Sequence, residues 1–170
     1  MSSSSTVTTA VPVIGKESSR EGSAEITTGA RECFKRILEL TKSIGFPTTL
    51  PLRQLVECGL VRDTGFVWMK QKKPYEHYFR ATGTWVRYET EVTAFVEEGR
   101  IKRMNGMKSK QLLMWVPIVE MRLDGDARDW IYFKSSIGIG RSFPASVFAD
   151  EVAAAEAFAN EADTDLANDR

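Results

Sequence analysis

The chain has one histidine, His77, in the stretch VWMKQKKPYEHYF (67–79), where aromatic and cationic side chains are dense. Any serine or cysteine mechanism that uses a histidine base must pass through it. No Gly-x-Ser-x-Gly elbow stands elsewhere to present a serine. A histidine at a strand start is most often a half-exposed structural residue, so no catalytic residue is assigned. Cys33 and Cys58 are the two cysteines. With one histidine they make no metal-ligand cluster, and neither a metal nor a cofactor is expected. They read as buried thiols in a reducing compartment; a single disulfide between them stays open. Glu89 and Glu91 lie two apart on one strand face, about 7 Å, a spacing that glycosidase carboxylates can have. Arg87 on the same face favours a solvated surface instead. GIGRSFP (138–144) lacks the spacing of a phosphate loop, and its glycines suit a tight bend.

Six cationic positions, Lys70, Lys72, Lys73, Arg100, Lys102 and Arg103, form a basic face if their strands are neighbours. Such a face suits anionic lipid or an acidic partner, although lysines on an edge or turn also block edge-to-edge association. Residues 66–110 carry ten Lys/Arg against five Glu, while residues 149–170 carry seven acids against Arg170. Formal net charge is zero, so no global field draws the chain to nucleic acid.

The elements that position these residues follow from periodicity. Residues 1–27 are rich in Ser, Thr and Gly and read as a disordered tail. Ala30, Cys33, Phe34, Ile37, Leu38 and Ile44 form one apolar helical stripe, with Thr28 as N-cap and Gly45 and Pro47 as stops. FPTTLPLRQLVECGL reads as a Pro-punctuated connection with a helical turn at Leu52–Cys58. The period then changes to two: GFVWMKQ, EHYFRATG and TWVRYETEVTAFV are strands, with Lys72-Lys73-Pro74 as a turn. Glu97-Glu98-Gly99 turns the chain, and Asn105-Gly106 reads as a type I′ hairpin. KQLLMWVPIVEMRL, a DGD turn and DWIYFK complete an antiparallel meander. Leu112 to Val116 looks apolar on both faces, which places either a second layer or an apolar cavity behind it. Pro117 marks a bulge or edge there. DEVAAAEAFANEA favours a weak helix.

The fold class is therefore mainly β (α+β): an antiparallel meander curled into a small β-barrel, with an N-terminal amphipathic helix packed on it and a weak C-terminal helix. One domain spans 28–148, followed by an acidic, Ala-rich tail at 149–170. No apolar run is long enough to span a bilayer and no basic leader precedes one, so a soluble, cytoplasmic monomer is expected.

The blocks GFVWMKQKK, TGTWVRYETEVTAFVEEGRIKRMNGMKSKQLLMWVPIVEM and RSFPASVF resemble the plant domain-of-unknown-function family 538, most of all its leaf- and trichome-associated branch with the Lys-Gln-Lys-Lys run. The resemblance covers about residues 32–148. Phe46-Pro47-Thr48-Thr49-Leu50-Pro51 departs from the family's Leu-Pro-x-Gly-Leu-Leu-Pro by lacking the glycine and one residue. The resemblance implies a small β-barrel-like domain likened to lipid-binding halves of bactericidal permeability-increasing proteins. It also implies links to stress and trichome growth, with esterase-like activity and chlorophyll binding proposed among members. No catalytic set transfers. The expected function is non-enzymatic binding of an apolar or amphipathic, lipid- or pigment-like ligand, with Trp68, Trp85, Leu113 and Trp115 as its wall. The alternatives are a weak ester hydrolase and an interaction module using the basic face, with peripheral membrane contact.

Overall fold

The structure, a computed structural model, describes residues 23–46 and 53–148 together with 153, 157, 159 and 160. Strand β1 (Ala24–Thr28) leads directly into helix α1 (Ala30–Ser43). Eight strands follow: β2 (Leu55–Val61), β3 (Phe66–Gln71), β4 (Tyr75–Phe79), β5 (Thr84–Glu97), β6 (Arg100–Gln111), β7 (Met114–Asp124), β8 (Trp130–Ser135) and β9 (Gly140–Pro144). They make one antiparallel sheet in the order β1-β2-β3-β5-β6-β7-β8-β9, with β4 also paired to β5. β1 and β9 stand at opposite ends of that order, so the sheet is curled and not closed into a barrel. The helix packs inside the curl, against β1 and β2 and over the inner-face core.

The apolar stripe forms α1 as its period requires: Ala30, Cys33, Phe34 and Ile37 are buried. Its N-cap is Gly29 at φ 90°, with no side-chain cap, and not Thr28. Thr28 is engaged in β1 opposite Glu57, so the chain must turn from strand to helix in one residue, and glycine permits that conformation. Gly45 ends the helix as expected. Its N–H donates to the Lys42 carbonyl (3.0 Å) and the Phe46 N–H to the Thr41 carbonyl (2.8 Å), a Schellman closure that buries Phe46.

Residues 24–27, assigned to the tail by composition, belong with Thr28 to a strand, and β2 replaces the expected helical turn at 52–58. β1 is a half-exposed edge whose identity depends on β2 beside it. Lys72-Lys73-Pro74 is not a hairpin turn: β3 pairs with residues 91–95 of β5 and β4 with residues 84–88, both antiparallel. The two strands run end to end along β5, and the lysines mark a jog.

Asn105-Gly106 lies inside β6, where the pairing to β5 and β7 shifts register. Gly106 has φ 89°, and a Cβ there would stand 2.2 Å from the Glu91 carbonyl oxygen. The residue pair that suits a type I′ turn also suits a bulge, and this bulge curls the sheet. The turn between β6 and β7 is instead Leu112-Leu113, with Leu112 at φ 55°. These leucines are 97% and 93% exposed, so the strand expected to be apolar on both faces starts only at Met114. Pro117 lies in β7 opposite Lys108, just before the β8 pairing starts at Ile118. The turns at Glu98-Gly99 and around Gly125 stand where the sequence placed them.

The inner face of β2, β3 and β5 to β8 packs with α1 in one core that includes Cys33, Ile37, Val67, Val92, Ala94, Met104, Met121 and Ile131. A 3₁₀ turn at Ala145–Phe148 seats Phe148 against Phe79, Phe133 and Phe143. Of the expected C-terminal helix, positions 153, 157, 159 and 160 are helical, and Ala159 packs on Phe34. The remainder of that helix, residues 1–22 and positions 47–52 of the Pro-rich loop lie outside the described residues.

Candidate functional site

Between α1 and the inner face of the sheet lies a cavity of about 220 Å³. Ile37, Leu40 and Ile44 form its roof, spaced to point the same way from α1, and Val67, Val92, Ala94, Met104 and Met121 form its floor. The sheet's curl keeps the helix off the floor, and the small Ala94 side chain at mid-strand helps leave the space open. Charged residues stand only at the rim. Arg62 donates through Nε and Nη2 to Glu25 at 2.5 and 3.1 Å, and Arg36 donates to Glu39 at 3.4 Å. The Arg62 guanidinium holds the Glu25 carboxyl below its usual range.

Cys58 lines the cavity wall and Cys33 lies against it from α1, both as free thiols. Thr27, whose carbonyl accepts from the Cys33 thiol at 3.3 Å, is the register partner of Cys58. The thiols share their protons unequally: the hydrogen bond with Cys58, then burial, pushes Cys33 up, and the same bond pulls Cys58 down.

Of the four residues expected to form a ligand wall, Trp68 borders this cavity through β3, but its indole belongs to a separate cluster with Val61, Phe66, Ala24 and Phe95. Its Nε1 donates to Glu57 at 2.7 Å, and the ring lies over Gly59, where a Cβ would stand 2.1 Å away. Trp85, Leu113 and Trp115 are brought together elsewhere, at one end of the sheet. There Trp85 is 45% exposed against Tyr78, and the Lys110 ammonium lies 5.9 Å from the Trp115 ring centre.

Lys70, Arg100, Lys102 and Arg103 share the outer face of the sheet by register, but their charges are taken up by neighbouring acids or an aromatic ring. Lys70 pairs with Glu57 (3.3 Å) at the β3 end opposite Glu91, whereas Lys102 stands opposite Phe95 and pairs with Glu97 (2.8 Å). Arg100 grips Glu120 by two 3.0 Å bonds and holds that carboxyl below its usual range. Arg103 lies 5.4 Å from the Phe95 ring centre, and Lys72 and Lys73 are exposed at the jog.

His77 shares a 3.1 Å hydrogen bond with the Tyr75 hydroxyl and meets Phe79 edge-on at 4.7 Å, an aromatic setting. Glu89 accepts from Arg87 at 3.0 Å. The glycines of GIGRSFP serve the β8–β9 turn, and Tyr132 covers Gly140. Among the described residues no group of three His, Cys, Asp or Glu is placed to hold a metal ion, and no helix is long and apolar enough to cross a membrane.

The cavity lining was visible in the sequence only as core. Its floor comes from β2, β3, β5, β6 and β7, and nothing in one strand's pattern reports a gap. The family description "protein of unknown function, DUF538" matches residues 37–149. The chain belongs to the DUF538 family. The matched span runs from the middle of α1 through the 3₁₀ turn, and so takes in the residues of the cavity's floor and roof named above. Comparisons with curated proteins and with solved structures find no match.

Proposed function

We propose that this DUF538 protein binds a small apolar or amphipathic molecule between α1 and the inner face of the sheet. The cavity's volume and lining support the reading: about 220 Å³ of space walled by aliphatic and methionine side chains. A dry cavity of about 150 Å³ accepts benzene, so this one suits a fused-ring molecule or a short acyl chain. A tetrapyrrole pigment is too large for it. The paired Arg62 and Arg36 at the rim suit a ligand with one polar end, which would compete with Glu25 or Glu39 for a guanidinium. Methionines at Met104 and Met121 let the floor adapt to shape. The setting we attach to this activity, a soluble cytoplasmic plant protein acting in stress or in leaf and trichome growth, comes from the family resemblance and the sequence reading.

Titration calorimetry with indole and with octanoate tests the proposal. One of the two should bind with one-to-one stoichiometry, and Ala94→Phe, which fills the floor, should weaken binding at least about tenfold, some 1.4 kcal/mol. Absence of binding by both probes, or unchanged affinity in a folded Ala94→Phe variant, would sink the idea.

A further inference from the structure

Three turns lie at the same end of the sheet: β4–β5 at residues 80–83, β6–β7 at Leu112-Leu113 and β8–β9 at residues 136–139. That end gathers most of the exposed large apolar side chains: Tyr78, Trp85, Leu112, Leu113, Met114, Ile137 and Ile139. Val86, Ser109 and Val116 line up across β5, β6 and β7, and one step nearer the tip stand Trp85, Lys110 and Trp115.

Two features separate this patch from a stray apolar surface. The first is local conformation. Leu112 adopts φ 55°, a region that disfavours leucine and that asparagine or glycine enters readily. A bulky residue held there and left 97% exposed is retained against both backbone and solvation preference, which points to a use outside the fold. The second is charge. The segments 77–86, 107–119 and 133–144 contain Arg80, Lys108, Lys110, Lys134 and Arg141 and no Asp or Glu. Lys108 is shared with Glu89 at 3.7 Å, and Arg141 lies 5.2 Å from the Phe143 ring centre.

We propose that this end of the sheet docks on an anionic phospholipid membrane, inserting the Leu112-Leu113-Met114 tip among the acyl chains. The hollow beside the tip, between Phe79, Met107 and Phe143, holds only about 70 Å³, too little for a peptide, whereas a bilayer accepts a convex apolar tip. Tryptophan and tyrosine behind the tip suit the headgroup layer, where a ring can be half wet. The surrounding cations suit anionic headgroups and act within a Debye length of them. The surface is separate from the α1 cavity, so it stands or falls independently of the ligand proposal.

Flotation on phosphatidylcholine vesicles with and without phosphatidylserine tests it, with the Leu112→Gly/Leu113→Asn double variant as control. Only Leu112 has positive φ, and glycine at the first turn position suits that geometry, so the variant should keep or raise the melting temperature. The unmodified protein should float with phosphatidylserine vesicles and lose that binding as salt rises. The double variant should bind at least about tenfold more weakly, a loss of about 1.4 kcal/mol. Brominated lipid should quench the tryptophan emission of the unmodified protein more than that of a Trp85→Phe/Trp115→Phe variant. No flotation with either vesicle, or undiminished flotation of the folded double variant, overturns the proposal. A dimer that the double variant dissolves, with no flotation, would assign the tip to a second copy of the chain and overturn it equally.

Discussion

Replacing Gly59 by alanine should cost far more than one methyl group suggests. A Cβ at this position would lie 2.1, 2.2 and 2.4 Å from three atoms of the Trp68 indole. Ordinary carbon contact needs about 3.5 Å, so the ring must retreat by roughly 1.4 Å. The Nε1–Glu57 bond is now 2.7 Å and would be stretched past the limit of a hydrogen bond. Losing a bond to a charged acceptor costs about 1.5–3 kcal/mol, and forcing the overpacked ring aside costs about 1–3 kcal/mol. The entropic advantage of alanine over glycine returns about 0.5–1 kcal/mol. The net loss is about 3 kcal/mol, or about 10 °C in melting temperature for a domain of this size. Thermal unfolding followed by circular dichroism measures it. The control is the same substitution in a Trp68→Ala background, where the clash partner is gone and Gly59→Ala should be nearly neutral. A melting temperature within about 2 °C of the unmodified protein, or an equal loss in both backgrounds, would refute the reasoning.

Gly106→Ala meets the Glu91 carbonyl at 2.2 Å from a residue already at φ 89°, so it should destabilise by about 3 kcal/mol or more in denaturant titration. Glu120 titrates below its unfolded value because Arg100 grips it, so the pair's contribution is present above the unfolded carboxylate pKa of about 4.3 and is lost as pH falls through the lower folded value. The gap in melting temperature between the unmodified protein and Glu120→Gln should therefore be full at neutral pH and close in acid; a gap that widens there contradicts the assignment.

Elements whose residues carry their own period were legible. The α1 stripe and the alternation along β5 each bury one face, and Glu98-Gly99 is a turn whatever surrounds it. β1 and β2 were not, because AEITT has little to bury and Pro47 and Pro51 suggested a loop; pairing between two weak segments settles both. Asn105-Gly106 and Leu112-Leu113 were exchanged in role. Positive φ is demanded equally by a hairpin and a bulge, and the leucine pair reads as core until the register shows it at a tip. Of the expected wall residues Trp68, Trp85, Leu113 and Trp115, only Trp68 borders the cavity, and the other three gather outside the curl. The cavity could not be read at all, since its size depends on how far five strands hold α1 from their common face.

The way β1 joins the sheet has a kinetic side. From β5 to β9 each strand pairs with the next in sequence, whereas β1 reaches β2 only across the length of α1. Nearby pairings form early and distant ones late. The roof of the cavity should thus be the last part to assemble and the easiest to release, with amides of α1 and β1 exchanging with solvent before those of β5 and β6. A bound molecule would then need no permanent channel: it could come and go through brief departures of the helix.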